Sequence, residues 1–468
     1  MPDERFEDHL LHPVGRGHVP AGAHAGAAGG ALCGDLVTIS LALAGETVVD
    51  AGFEASGCGA AIAAGSATVE LVRGASILDA ARIGTEAIAE ALGGLSVGKL
   101  HAADLASDAL HRALGAATAA DAEAVPVAGR TLVAMSGGVD SAVAAVLMRS
   151  THDEVVTVTL ELWRDAENDA EGSCCSANAV RAARSVAHRL GLPHFTLDLR
   201  DAFRAGVVEP WMAEHAEGLT PNPCVRCNGH VRLDAMLDFA DRVGAATLAT
   251  GHYARQDADG LLRAAADPAK DQTYMLAALS RSTLQRMRFP LGELTKPRVR
   301  ELAHEHGLAV AGKPDSQDLC FLAGTGRARF LQRHGGVQER PGDVVDRSGQ
   351  VLGRHRGHFH FTVGQRRGLG VHAVEPLYVL GTDARANTVT VGPKAALDVD
   401  RVALRGVRLH RDATAVDGVR LRYHAAVLPC RLEDDAVLLS EPFSAPAPGQ
   451  TAVLLAGDVV VGSATIRS

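Results

Sequence analysis

Three short tracts hold residues able to do chemistry. Ser136-Gly137-Gly138-Val139-Asp140-Ser141 follows the apolar run 131–135 and precedes a helical pattern over 141–149. A glycine-rich turn between a strand and a helix aims backbone N–H groups at an anion, and the helix dipole adds to the attraction. Its two serines add hydroxyl donors, and Asp140 is placed to orient Mg²⁺ or a backbone amide. Downstream, Gly218-Leu219-Thr220-Pro221-Asn222-Pro223-Cys224-Val225-Arg226-Cys227-Asn228 holds a C-x-x-C pair just before a predicted helix. Pro221 and Pro223 stiffen the approach, while the helix N-terminus and Arg226 favour a thiolate, which makes Cys227 a candidate nucleophile. The same spacing equally suits zinc or an iron–sulfur cluster. Lys313-Pro314-Asp315-Ser316-Gln317-Asp318-Leu319-Cys320-Phe321 supplies a further cysteine in a polar loop. A fourth tract, Gly93 to Lys99, imitates a phosphate loop, but Leu100 stands where a hydroxyl should hold Mg²⁺ and a helical pattern precedes it, so it is rejected.

The elements that must position these tracts follow from periodicity. Strand patterns at 131–135, 155–162, 194–199 and 246–250 alternate with helical patterns at 141–149, 176–190, 201–215 and 229–243, which predicts an α/β domain with a parallel sheet. From about 341 short β segments with regular turns predict a small β-rich module and then a β-barrel; among them are FHFTVG and the long segment RLRYHAAVLPCRL. Before residue 125, two alternating stretches around the turn AGE predict a hairpin over 35–54, followed by helices at 60–73, 76–92 and 103–116 and an Ala/Asp-rich linker at 116–126. Residues 1–30 read as mostly irregular, with His9, His12, His18 and His24 as surface histidines that could bind metal. The expected domains are 1–124, 125–340, 341–398 and 399–468.

At 468 residues, 47% hydrophobic and 22% charged, the chain reads as several soluble domains, and no apolar stretch is long enough to span a bilayer. The acidic N-terminus lacks the apolar region of a secretory signal, so a cytoplasmic location is expected, where eight cysteines would stay reduced. The net charge of −9 is concentrated: residues 1–124 hold 6 basic and 16 acidic residues, leaving 40 and 39 for the rest. Basic runs at Arg281, Arg286, Arg288, Lys296, Arg298 and Arg300, and at Arg354, Arg356, Arg366 and Arg367, are candidate RNA faces, although such runs are more often solvated surface. Cys174 and Cys175 could relay sulfur or be structural, and Cys430 reads as core.

SGGVDS resembles the motif of the PP-loop ATP pyrophosphatases, which split ATP between the α and β phosphates and adenylate a substrate. With TPNPCVRCN, ATGHYAR, KDQTYML, KPDSQDLCF and FTVGQRRGLGV in this order, the chain from about 130 onward resembles the MnmA family of tRNA-specific 2-thiouridylases. The resemblance implies a Rossmann-like PP-loop catalytic domain, ATP with Mg²⁺, and thiolation of the wobble uridine at position 34 in tRNAs for Glu, Gln and Lys, fed by a cysteine desulfurase or another sulfur donor. By position it assigns Cys227 as nucleophile and Cys320 as persulfide cysteine, with Asp140 in catalysis. Ala134, Met135, Ser136, Gly137, Gly138, Val139, Asp140, Ser141, Leu160 and Gly251 match ATP contacts. Asn222, Pro223 and Cys224 match the segment meeting the target base, and Lys270, Asp271, Gln272, Arg422 and Tyr423 match RNA contacts. Some members carry Asp where Cys224 stands, so Cys224, Cys227 and Cys320 also form a possible cluster-ligating triad. Another adenylating PP-loop enzyme, such as a synthetase or a lysidine synthetase, would share SGGVDS without needing the paired cysteine tracts; an RNA-binding protein with a dead ATP site would not need Ser136, Asp140, Cys227 and Cys320 intact.

Residues 1–124 resemble the IscU and NifU N-terminal iron–sulfur scaffolds, an α+β fold, through ALCGD, SGCG and KLHA. The resemblance implies a metal or nascent cluster, zinc or iron–sulfur, held by Cys33, Asp35, Cys58 and His101, with Ala102 in the place of a third cysteine. The expectation drawn from this is a domain that docks a desulfurase and feeds sulfur toward Cys320 across a flexible linker, the alternative being a degenerate, purely structural domain.

Overall fold

A computed structural model describes residues 2–29, 34–151, 154–165, 177–315, 319–322 and 324–467. Cys33, Cys174 and Cys175, and Ser316 to Asp318 of the third tract, lie outside these residues.

The hairpin forms as its alternation demands. Strands Leu36–Ala44 and Thr47–Ser56 pair antiparallel, and the cross-strand pairs Val37–Ala55, Ile39–Phe53 and Leu41–Ala51 all turn into the core. The first thirty residues are more ordered than their composition suggests. Pro2–Leu11 is a helix, and His24–Gly29 is a third, edge strand built only of His, Ala and Gly. Such a strand carries no alternation to read; it is selected by contact, since a Cβ at Gly26 would lie 2.3 Å from Ala109 O and Ala113 N. His9 is buried against Ser66 Oγ at 2.8 Å, His18 meets Asp50 at 2.6 Å and His24 meets Asp121 at 2.9 Å, so these are placed side chains and not a disordered surface set.

The single helix expected over 76–92 is two, Ile77–Ala80 and Thr85–Ala91, and the last helix runs Leu100–Asp121, absorbing half of the expected linker because alanine favours helix. The interruption has a use. Ala81 O accepts His194 N at 2.9 Å from the catalytic domain, and lies 3.2 Å from His188 Nε2.

The catalytic domain is a five-stranded parallel sheet in the order Met287–Arg288, Ala245–Ala249, Val127–Ala134, Glu154–Glu161, His194–Asp198. His194–Asp198 is therefore an edge, and the helix Leu100–Asp121 covers it. His111 Nδ1 lies 2.7 Å from His194 O, and a Cβ at Gly115 would come within 2.0 Å of Thr196 O. Arg184, 2% exposed, donates to Asp108 at 2.6 Å and Asp104 at 2.7 Å, and Arg112 grips Glu161. The two units are thus joined by a buried polar seam, which corrects the expectation of a domain carried on a flexible linker. Between them remains a cavity of about 1380 Å³ walled by Ala25–Gly29 and Thr196–Arg200; none of the three chemical tracts lines it.

Burial, with the charge of Arg184 beside it, pushes His188 down to about 4, and burial holds His111 and His194 well below the ordinary value of 6.5. All three are neutral when the seam is closed and titrate normally when it opens, so opening takes up protons below pH 6.5. The seam is at full strength above that pH and weakens as pH falls from 6.5 toward 4, by about 3 kcal/mol from His188 alone. Scanning calorimetry between pH 7 and pH 4.5 is expected to show the first transition moving down, with a smaller shift in His188→Gln. A pH-independent first transition would contradict a histidine-lined seam.

Beyond residue 340 a four-stranded sheet (Val351–His355, Gly342–Val345, Thr388–Gly392, Tyr378–Asp383) precedes a closed six-stranded barrel: Asp398–Leu409, Ala436–Ser444, Leu428–Glu433, Gly418–Arg420, Thr451–Ala456 and Val459–Ile466, which returns to the first strand. FHFTVG is not a strand; His358–His360 is a 3-10 turn. RLRYHAAVLPCRL breaks into two strands around a loop that carries Arg422 and Tyr423. Cys430 is barrel core, and burial pushes its thiol up to about 11.

Candidate active site

Strand Val127–Ala134 ends in the middle of the sheet, and helix Val139–Ser150 starts at Gly138 with no side chain capping it, so its first N–H groups are left to the loop between. Ser141 Oγ accepts from Ser136 N at 3.0 Å and donates to Gly138 O at 3.2 Å, closing the turn. Gly137 has φ +67°, and a Cβ there would lie 2.3 Å from Ala179 O. Gly251 permits a second close approach: its Cβ would lie 2.8 Å from Asp140 C and Ser141 N. Ala134 to Ser141 and Gly251 therefore converge, and Leu160 sits at the same end of the adjoining strand.

Asp140 is held by three hydrogen bonds from two residues. Tyr253 donates to its Oδ1 at 2.9 Å, and Lys296 Nζ reaches Oδ1 at 2.7 Å and Oδ2 at 2.9 Å. Lys296 also meets Asp315 at 2.8 Å, which in turn takes Lys270 at 2.8 Å and Arg300 at 2.9 Å, while Lys313 donates to Gly137 O at 3.0 Å. Burial alone would raise the Asp315 carboxyl; the hydrogen bonds and charges of Lys270 and Lys296 overrule it and hold the group at about 2. The glycine-rich turn thus faces several cations whose countercharges are built in. Lys296, Lys313, Tyr253 and Asp315 were not assigned to this turn from sequence. Lys296 belonged to a basic run read as a candidate RNA face, yet it is buried, and its neighbours Arg286, Arg298 and Arg300 pair with Asp241, Glu305 and Asp315.

The C-x-x-C tract lies inside its helix rather than before it. Asn222 caps the turn Pro223–Cys227, its Oδ1 accepting Cys224 N at 3.0 Å and Val225 N at 3.3 Å, and a π-turn, Asn228–Arg232, carries the chain into Leu233–Arg242. Cys224 thus stands in the first turn of the helix, and Cys227 is buried one turn further on. Cys320 packs against the same apolar cluster, beside Phe321, whose ring is clamped among Phe203, Trp211 and Phe330. Among the described residues the sulfurs of Cys224, Cys227 and Cys320 are not gathered within 4.8 Å of one another, so the expected ligating triad is not assembled.

The matched RNA contacts divide. Asp271 is buried, holding Thr273 at 2.8 Å and Arg420 of the barrel at 2.7 Å, and Gln272 accepts Tyr253 N at 3.0 Å, so both brace the site. Lys270 turns to Asp315. Tyr423 comes from the barrel loop to within 5.9 Å, ring to ring, of Tyr274, and Arg422 donates to Ala445 O at 3.1 Å. The loop before the cysteines is pinned by both C-terminal modules: Thr382 donates to Gly218 O at 3.0 Å, and Gln450 donates to Thr220 O at 2.6 Å.

In the N-terminal unit, Asp35 accepts Cys58 N at 2.8 Å and Cys58 Sγ at 3.2 Å, and lies 3.1 Å from His101 Nε2. The Cys58 N–H holds the Asp35 carboxyl below its ordinary value, against the opposing effect of burial, with the thiol and His101 adding to it. Among the described residues this is the one group of three able to hold a metal ion. Its sulfur, nitrogen and oxygen donors fit zinc or iron. Ala102 is fully buried, so the position of the third cysteine is a core methyl.

Comparison with known proteins matches four families in order along the chain: NifU-like N terminal domain over 3–123, tRNA methyl transferase HUP domain over 129–324, tRNA methyl transferase PRC-barrel domain over 328–393, and Aminomethyltransferase beta-barrel domain over 409–466. Fold and site together define a HUP-type catalytic unit joined to a NifU-like unit. A bifunctional protein NifU/MnmA of Rubrobacter xylanophilus is 44% identical over 99% of this chain and 98% of its own. A tRNA-specific 2-thiouridylase MnmA of Salinispora tropica is 45% identical over 72% of this chain and 99% of its own, and one of Rhizorhabdus wittichii is 45% identical over 72% and 92%. The chain belongs to the tRNA-specific 2-thiouridylase family, in its fused NifU/MnmA form. Among the described residues no helix is long and apolar enough to cross a membrane.

Proposed function

We propose that the chain thiolates the 2-carbonyl of the wobble uridine of tRNA by adenylation followed by sulfur transfer. The observation that carries this is the phosphate turn, with Asp140 locked to Lys296, in one catalytic domain with a helix bearing Cys227 and an anchored Cys320. A uracil carbonyl is a poor electrophile, so its oxygen must first become a good leaving group. The carbonyl oxygen attacks the α phosphate of ATP and pyrophosphate departs, its charge met by Lys296, Lys313 and the N–H groups at Gly138. The terminal sulfur of a Cys320 persulfide then attacks C2 and AMP leaves. Cys227 thiolate attacks Cys320 Sγ, the S–S bond breaks toward the base to give 2-thiouridine, and a Cys227–Cys320 disulfide remains for a cellular thiol to reduce. The loop Asn222 to Cys224, with Tyr274 and Tyr423 beside it, receives the base, which an anticodon loop releases from its stack at modest cost. Asp140 and Asp315 offer the hard oxygens Mg²⁺ prefers, but Lys296, Lys270 and Arg300 already neutralise them, so no step is drawn through a metal.

Asp35, Cys58 and His101, with Cys33 as the remaining expected ligand, would hold zinc or iron at a desulfurase-docking domain that supplies sulfur to Cys320. Nucleoside analysis of unmodified tRNAs for Glu, Gln and Lys, incubated with the protein, ATP and either desulfurase with cysteine or inorganic sulfide, tests both parts. 2-Thiouridine is expected with each donor, because sulfide can open the Cys227–Cys320 disulfide at Cys320 Sγ, giving the Cys320 persulfide and releasing the Cys227 thiolate with no outside oxidant; its absence with both overturns the thiolation reading. Cys58→Ala is expected to slow only the desulfurase reaction, and equal rates in that variant would remove the delivery role.

A further inference from the structure

On the first strand of the barrel, Arg405 and Arg408 are three residues apart, and in a regular strand they would face opposite ways. They do not. Arg405 pairs with Thr465 and Arg408 with Ser463, so three steps on one strand match two on the other, and the register shifts between them. The extra residue is taken up at Gly406, whose φ is +64°, the conformation that favours glycine. Leu404 and its partner Ile466 face the barrel core, so both arginines face outward. Arg405 turns toward the helix Glu209–Ala216, and Arg408 toward His230 in the π-turn that follows the cysteines. Arg405 lies 3.9 Å from Glu214, a distance at the outer edge of an ion pair, with half of its side chain exposed. Arg226, next to Cys227, is exposed and has its Nε fixed on Gly206 O at 2.7 Å.

We propose that Arg226, Arg405 and Arg408 form a phosphate-binding patch for the tRNA backbone beside the target base, assembled by the bulge at Gly406. The proposal rests on the thiolation reading, which puts the wobble base at Cys227 and therefore the neighbouring phosphates on the solvent side of its helix. Groups on that helix and the one before it register the same three charges. Burial lowers His230, with Arg408 and Arg226 adding and Asp234 opposing; burial raises Glu214 against the pull of Arg226 and Arg405. Glu214 and Asp234 are carboxylates that these charges reach, with Glu217 beside Glu214 and Asp238 beside Asp234. Phosphate contacts position a nucleic acid without reading its sequence. The patch therefore serves every accepted tRNA alike.

The test is the salt dependence of tRNA binding, followed by fluorescence between about 50 and 300 mM KCl with the full-length protein. Each lost phosphate contact lowers the slope of log K against log salt by roughly 0.7–0.9. Arg405→Ala/Arg408→Ala is expected to lower it by about 1.5 and to weaken binding about tenfold or more at low salt, to the same extent for different tRNAs, with an unchanged melting temperature. Arg408→Lys, which keeps the charge, is expected to keep the slope of the parent. An unchanged slope in the double variant, or a lysine variant as damaged as the alanine one, overturns the patch and leaves the thiolation reading standing. A parent protein that binds no tRNA overturns that reading itself.

Discussion

Cys320→Ala protein is expected to make no 2-thiouridine from either sulfur donor while still releasing AMP and pyrophosphate in the presence of tRNA. In the proposed mechanism the two half-reactions use different parts of the site. Activation of the carbonyl needs the turn 136–141 and its cations, and no thiol takes part in it. Delivery needs a persulfide at Cys320 and a thiolate at Cys227 to break it. Removing Cys320 therefore stops turnover after the first step, leaving an adenylated base exposed to water, which returns it to uridine. Asp140→Ala is expected to give the opposite pattern, with no AMP at all. Thin-layer separation of labelled AMP beside nucleoside analysis distinguishes the two, and normal thiolation by Cys320→Ala would remove this cysteine from the mechanism. A cluster-bound sulfide would use the same cysteine, but the described geometry does not bring Cys224, Cys227 and Cys320 together as three ligands.

Lys296→Met should lower tRNA-dependent pyrophosphate release by about 10²–10³-fold, the usual cost of removing one preorganised electrostatic group from a site where charge develops. Methionine preserves the buried stem, so the loss reports on the ammonium group. That group joins Asp140 to Asp315 and is the most buried cation of the cluster. Deleting it leaves two carboxylates facing each other at the mouth of a site that must accept a polyphosphate. Stability should fall too, by about 2 kcal/mol, less than for a fully buried pair because both carboxylates keep roughly a third of their exposure. Stopped-assay measurement of pyrophosphate, with thermal melting as control, decides; a rate within threefold of the parent would show that Lys296 only braces Asp140.

What could be read before the structure was what local pattern encodes. The hairpin 35–54, four of the five parallel-sheet strands and the turn 136–141 each announce themselves by alternation, an apolar run or a glycine pair, and each lies where the pattern put it; the fifth strand, Met287–Arg288, is two residues long and carries no pattern to read. The strand His24–Gly29 did not, because Ala and Gly carry no alternation and the strand exists through close packing on the helix Leu100–Asp121. Lys296 was hidden for a related reason: nothing local distinguishes a lysine buried between two carboxylates from the solvated arginines around it. The helix bearing Cys227 starts earlier than its apolar pattern indicates, because Asn222 caps a turn at Pro223 and the π-turn at 228–232 carries it on into Leu233–Arg242. The histidines of the domain seam were unreadable because their partners lie far along the chain, His111 against His194 and His188 against Ala81.

The edge strand His194–Asp198 is sheltered by a helix, Leu100–Asp121, that precedes it by more than seventy residues. Synthesis runs from the N-terminus, and domains fold as they emerge. The sheltering wall is therefore complete before the ribosome has made the strand it protects. Parallel sheets are slow to close and leave their edges open to other chains while they do so. In this chain the vulnerable edge is never born bare, and the fusion of the two units acts as an order of assembly, whatever it does for the sulfur delivery proposed above.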